Sequence, residues 1–224
     1  MATTMERPCT ILIAHDRTEL PTTAEIKKQL EDGSVPEKRQ ALKYAILLLL
    51  SGDKSPQGLI MTMIKCILHV RDHHLKKLLL IYWETVQKKS ADGKLLPEFI
   101  LVCNALLNDL KHANEYVRGS TLRFLCRLKE PELLEPLMPT VRLNLEHRVS
   151  YVKRNAVLTL YSVYKEFDYL CPDAPELIYN FLVNEPDLSC KRNAFIMLFN
   201  CAQDKAVEYL SSVLDQVSTF GDVL

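Results

Sequence analysis

One short pattern returns five times along this chain, and its spacing constrains the fold more than any other feature. Four copies align without gaps: His74-Leu75-Lys76-Lys77-Leu78-Leu79-Leu80, Tyr116-Val117-Arg118-Gly119-Ser120-Thr121-Leu122, Tyr151-Val152-Lys153-Arg154-Asn155-Ala156-Val157 and Ser189-Cys190-Lys191-Arg192-Asn193-Ala194-Phe195. A weaker copy, Glu37-Lys38-Arg39-Gln40-Ala41-Leu42, starts the series. The shared basic residue falls at 38, 76, 118, 153 and 191, giving steps of 38, 42, 35 and 38 residues. A period of this length fits a helix, a turn and a second helix that cannot bury its apolar side alone.

The local signals agree. A capping residue precedes each strong copy: Asp72, Asn114, Ser150 or Asp187. Such a side-chain oxygen accepts a hydrogen bond from a free amide at a helix start. Apolar residues then recur with helical period, as in Val152, Ala156, Leu160, Val163 and Phe167. Pro97, Pro131 and Pro172 are expected to open the helices between copies, where a missing N–H costs nothing. No alternating run flanked by Asn-Gly or Asp-Gly indicates strands. The pattern predicts helices near 24–31, 37–50, 57–69, 73–88, 96–110, 115–128, 132–146, 150–167, 173–183, 189–200 and 204–217. The expected fold is all-α: an α-solenoid of HEAT/armadillo-like helical hairpins over 24–224, preceded by an irregular N-terminal arm over 1–23. The last residues, Phe220-Gly221-Asp222-Val223-Leu224, show no polar fade-out, so the array is expected to continue past them.

Composition narrows the function. Hydrophobic residues make up 48% and charged residues 25% of 224, enough for a packed core. Lys plus Arg and Asp plus Glu both total 28, so the overall basicity expected of a nucleic-acid binder is missing. Seven cysteines are scattered without a C-x-x-C pair, which favours a reducing compartment. The N-terminus lacks a signal-peptide core. The longest apolar run, Ala45 to Leu50, is far short of the roughly 20 residues that span a bilayer.

Several strings carry a resemblance. Arg118-Gly-Ser-Thr-Leu-Arg-Phe-Leu-Cys126, Glu132-Leu-Leu-Glu-Pro-Leu-Met-Pro139, Lys153-Arg-Asn-Ala-Val157, Pro172-Asp-Ala-Pro-Glu-Leu-Ile178, Phe181-Leu-Val-Asn-Glu185 and Ser189-Cys-Lys-Arg-Asn-Ala-Phe195 resemble, in order, the start of the coatomer beta-subunit (beta-COP) family, large chains of the adaptin type. The resemblance covers about residues 25 to 224. It implies a curved helical trunk in the COPI vesicle coat and a role in Golgi-to-endoplasmic-reticulum and intra-Golgi transport. The implied location is cytoplasmic, peripheral on Golgi and vesicle membranes. The implied partners are the other coatomer subunits (delta, gamma and zeta chains) and a GTP-bound Arf-family GTPase. By position, Ile100 and Cys103 correspond to the GTPase contact, with Phe99 beside them. A generic HEAT-type scaffold, such as a transport receptor or phosphatase scaffold, is the alternative that the repeat alone leaves open.

The sequence shows no catalytic constellation. Cys66, His69 and His73 fall at i, i+3 and i+7, but Arg71-Asp72 is expected to break that face, and no fourth metal ligand is evident. Gly52-Asp53-Lys54-Ser55 lacks the first glycine of a phosphate loop. No cofactor, no enzyme activity and no nucleic-acid partner are expected. Two surfaces are of interest. Phe99-Ile100-Leu101-Val102-Cys103 is apolar on every side, so it is either covered by neighbours or partly open to a partner. The recurring Lys76, Arg118, Lys153, Arg154, Lys191 and Arg192 form either ion pairs between neighbouring hairpins or a basic ridge facing anionic lipid or an acidic partner.

Overall fold

The computed structural model describes residues 20–215. The first helices are α1 (Thr23–Asp32), α2 (Val35–Leu50), α3 (Ile60–Cys66), α4 (His73–Thr85), α5 (Phe99–Leu110) and α6 (Glu115–Leu125). They are followed by α7 (Pro131–Leu134), α8 (Met138–Leu143), α9 (Ser150–Glu166), α10 (Ala174–Asn184), α11 (Leu188–Cys201) and α12 (Gln203–Ser212). Short 3-10 turns join some of them, and the only β feature among the described residues is one isolated bridge, Lys89 to Leu95. The all-helical solenoid predicted from the repeat is the observed architecture. The irregular arm expected over 1–23 falls mostly outside the described residues, and Thr23 already belongs to α1.

The starts of these helices follow from local chemistry. Thr22 accepts from the Glu25 amide, while Glu25 accepts from the Thr22 amide at 2.8 Å, a reciprocal capping box. Asp72 accepts from the Leu75 amide at 2.8 Å, Asn114 from Tyr116 at 2.8 Å and Asp187 from Cys190 at 3.0 Å. The fourth expected cap is corrected: Val149 is the N-cap of α9, and Ser150 is already helical. Among the expected helix-opening prolines, Pro131 does open α7, whereas Pro97 lies before the Glu98 cap of α5 and Pro172 lies in the turn before α10.

One expected helix is irregular. The segment predicted as a helix over 132–146 is helical throughout but alternates between α and 3-10 geometry. Pro136 and Pro139 each remove an amide donor and push a ring against the carbonyl four residues back. The backbone tightens into 3-10 turns at Glu135–Leu137 and Asn144–Glu146. Buried Leu133, Leu134, Leu137, Met138 and Val141 still face the core.

The helices form two layers. α2, α4, α6, α9 and α11 make one row, and the helices between them make the other. One apolar core runs the length of the described chain, from Ile26 and Leu30 to Ala206 and Tyr209. Within the row, α2 packs along α4, α6 along α9 and α9 along α11, whereas the backbones of α4 and α6 approach at only a few points. This gap coincides with the longest step of the repeat and with the connection 86–98. Large aromatic side chains hold α4 to its other neighbours, α5 and the 3-10 turn Ser55–Leu59. Trp83 and Phe99 are both 1% exposed, and their rings meet edge to face at 5.6 Å. Buried Tyr82 meets Trp83 at 5.1 Å and donates its hydroxyl to the Pro56 carbonyl at 2.8 Å.

Candidate functional site

The recurring basic residue holds the same place each time. Lys38, Lys76, Arg118, Lys153 and Lys191 are each the fourth residue of their helices, α2, α4, α6, α9 and α11. From there the side chain reaches the C-terminal end of a helix in the next hairpin. Lys38 donates to the Cys66 carbonyl at the end of α3, and Lys76 pairs with Asp109 near the end of α5. Arg118 donates to Asn144 Oδ1 at 3.0 Å, and also to the His112 and Lys111 carbonyls. Lys153 pairs with Glu185, the C-cap of α10, at 2.6 Å. A cation suits a helix C-terminus, where unpaired carbonyls concentrate negative potential. Lys191 sits in the equivalent place and meets no acid among the described residues.

These contacts join hairpins. Asn144, 1% exposed, shows how tightly: its amide donates to the Leu110 and Thr140 carbonyls while its oxygen accepts from Arg118. Arg39 supplements the first rung with two bonds to Asp72, at 3.0 and 2.5 Å, which together with the Leu75 amide hold that carboxyl at about 2. Arg142 likewise grips Asp173 at 2.6 Å and lowers its pKa.

The six recurring basic residues divide between contacts with the neighbouring hairpin and an outward-facing set. Lys76, Arg118 and Lys153 are committed to the neighbouring hairpin, and Lys191 is half-buried. The next residue points outward, because consecutive helical positions lie about 100° apart. Arg154 is exposed and lies over the Tyr151 ring at 5.2 Å, and Arg192 is exposed beside Phe195, Ile196 and Phe199. Sequence reasoning missed exposed Lys77, which shares this register, and Arg123, one turn further along α6. The doublets Lys76-Lys77, Lys153-Arg154 and Lys191-Arg192 held the signal: each places one base inward and one outward.

The start of α5 is open on one side. Ile100 is 60% exposed and Leu101 47%, whereas Phe99 is in the core against Trp83. Cys103 is half-buried, its thiol directed at the Leu133 carbonyl at 3.8 Å, and burial raises its pKa. Of the three residues expected at a GTPase contact, Ile100 is freely accessible, Cys103 partly so, and Phe99 supports the surface from beneath.

Other chemistry has little footing among the described residues. Cys66 ends α3 and His73 opens α4, so the face that would align Cys66, His69 and His73 does not form. No group of three or more His, Cys, Asp or Glu there is arranged to hold a metal. The six cysteines described are free thiols, with burial pushing Cys171 up to about 11 and Cys190 up to about 12. No helix described is long and apolar enough to cross a membrane.

The profile of the adaptin N terminal region family matches residues 16–223. The chain belongs to the adaptin N-terminal family. This adaptin-type chain is 60% identical over 98% of its length to a protein named coatomer subunit beta from Dictyostelium discoideum, of which it covers 24%. It is 59% identical over 92% of its length to the pig (Sus scrofa) protein of the same name, covering 22% of it. It is 49% identical over 98% of its length to coatomer subunit beta-1 of Arabidopsis thaliana, covering 23%. The adaptin-type chain thus spans about a quarter of the length of the relatives it matches. A designed armadillo repeat protein superposes with a TM-score of 0.52 at 15% identity, over 90% of this chain and 95% of that one. An engineered protein superposes with a TM-score of 0.56, also at 15% identity, over 87% and 91%. These two show the shared fold of the adaptin-type trunk.

Proposed function

We propose that this chain is a trunk segment of a COPI coat subunit, acting as a protein-docking scaffold in vesicle transport between Golgi and endoplasmic reticulum and within the Golgi. It catalyses nothing in this reading. Its partners are the other coatomer subunits, with the delta, gamma and zeta chains foremost, and a GTP-bound Arf-family GTPase that brings the coat to the cytoplasmic side of Golgi membranes. Membrane association is peripheral and indirect. Similarity to coatomer beta subunits across almost the whole chain supports the coat assignment.

The observation that carries the docking site is the exposure of Ile100 and Leu101 on a helix whose other faces are packed. Isolated apolar residues on a surface need no explanation, but two adjacent ones, Leu101 lining a groove and Ile100 next to it, form a contact suited to a GTPase switch region. The groove holds about 860 Å³ and has Leu101, Asn104 and Asn108 on its α5 wall. A pull-down of this chain with GTP-locked Arf tests the reading. Wild type is retained in the GTP-bound state alone, and Ile100→Glu abolishes retention without moving the melting temperature. Equal retention of the two chains would discard α5 as the GTPase contact.

A further inference from the structure

The gap between α4 and α6 is open at the surface. The groove beside Leu101 shares His73, Lys76 and Val117 with a smaller one of about 240 Å³. That one shares Lys77, Leu80, Tyr116 and Ser120 with a third of about 410 Å³, which ends at Tyr151. The three form one furrow, from the free face of α5 across the row to the start of α9.

The furrow has an apolar floor and an unbalanced rim. Leu101, Leu80, Val117 and Tyr116 supply apolar surface along its length. Three acids line it, and each is already held by a cation: Asp72 by Arg39, Asp109 by Lys76 and Glu84 by Arg127. Exposed Arg71, Lys77 and Arg123 also line it and meet no acid among the described residues. The uncommitted charge is positive, although the whole chain is neutral. A low-lying channel with one sign of free charge concentrates ligands of the other sign.

We propose that this furrow is a docking site for an acidic peptide segment of a partner protein, with carboxylates paired to Arg71, Lys77 and Arg123 and leucine-type side chains laid on the floor. The floor is the reason to choose a peptide over a bare anionic surface: a membrane headgroup layer has nothing to place on Leu80 and Val117 at the bottom of a channel. The furrow shares Leu101 with the proposed GTPase contact but not Ile100, so substitution of Ile100 separates the two readings.

Fluorescence anisotropy with a labelled synthetic peptide, glutamates interspersed with leucines, tests it on the 224-residue chain. The Lys77→Glu/Arg123→Glu variant is expected to bind at least about tenfold more weakly, and affinity should fall with salt. Lys165→Glu, an exposed charge reversal outside the furrow, and Ile100→Ala should each change affinity less than about twofold. Circular-dichroism melts confirm that all variants fold. Equal binding by the double variant, or equal binding of a peptide with glutamine in place of glutamate, overturns the proposal. So does a result in which the double variant loses phosphatidylserine-containing vesicles but keeps the peptide, which would assign the cations to a membrane surface.

Discussion

Lys153 and Glu185 meet across 32 residues of sequence, with the ammonium 2.6 Å from one carboxylate oxygen and 2.7 Å from the other. Their side chains are only 14% and 4% exposed, and Glu185 also accepts from the Asp187 amide at 3.0 Å. A nearly buried carboxylate needs its counter-charge more than an exposed one does, because solvent cannot replace it.

Removing one partner should therefore cost more than removing both. Lys153→Met leaves Glu185 buried without a cation, and chemical denaturation should show a loss of roughly 3 kcal/mol. The double variant Lys153→Met/Glu185→Leu should recover a substantial part of that loss. Strictly additive single losses would mean that the two residues are not coupled.

Gly119 makes room for an aromatic ring. A Cβ there would be 2.1 Å from Tyr151 Cε1, so even alanine displaces the ring that packs on Tyr116 at 5.6 Å and carries Arg154. Alanine gains about 1 kcal/mol of helix propensity over glycine. The overpacking cost of about 1–3 kcal/mol should outweigh it. Gly119→Ala should lower the melting temperature, and Gly119→Ala/Tyr151→Ala should be more stable than Tyr151→Ala alone.

Neighbouring residues at the start of α5 should behave oppositely. Phe99→Ala opens a cavity beside Trp83 and should cost about 3–5 kcal/mol in unfolding free energy. Ile100→Ala should change stability by less than about 0.5 kcal/mol. Denaturant titration of the two variants measures the difference. A large loss from Ile100→Ala would show that this side of α5 is covered in solution.

Acid should weaken the first rung in a defined window. Asp72 is held at about 2, below its ordinary 3.8, first by the hydrogen bonds from Arg39 and then by that from the Leu75 amide. A lowered carboxylate pKa stabilises the fold above the unfolded value and loses that contribution as pH falls through the folded one. The contribution of Asp72 is therefore complete above about pH 4 and fades toward pH 2. Arg39→Ala should flatten this part of the pH–stability curve in thermal melts. Asp187, held at about 2 chiefly by the Ser189 hydroxyl, should be unaffected by that substitution.

Much of the fold was legible because periodicity reports which face of a helix is buried. The helices bearing the repeat and the caps at Asp72, Asn114 and Asp187 could be read directly. The 3-10 turns within 131–146 could not, since its apolar spacing is that of a regular helix while Pro136 and Pro139 tighten the backbone locally. The site was only half visible. A recurring Lys or Arg marks a position, but its partner is 26 to 33 residues away, at a distance that packing alone determines. For the same reason the run from Phe99 to Cys103 gave no sign that Phe99 turns toward Trp83 while Ile100 turns away.

The thin contact between α4 and α6 has a mechanical consequence. In a linear array each unit is held by its nearest neighbours, so cooperativity is no stronger than the weakest junction. Here that junction relies on a few large rings and long-range ion pairs instead of interlocked backbones. The array should yield there first, and a ligand lodged in the junction would tie the hairpins on its two sides together.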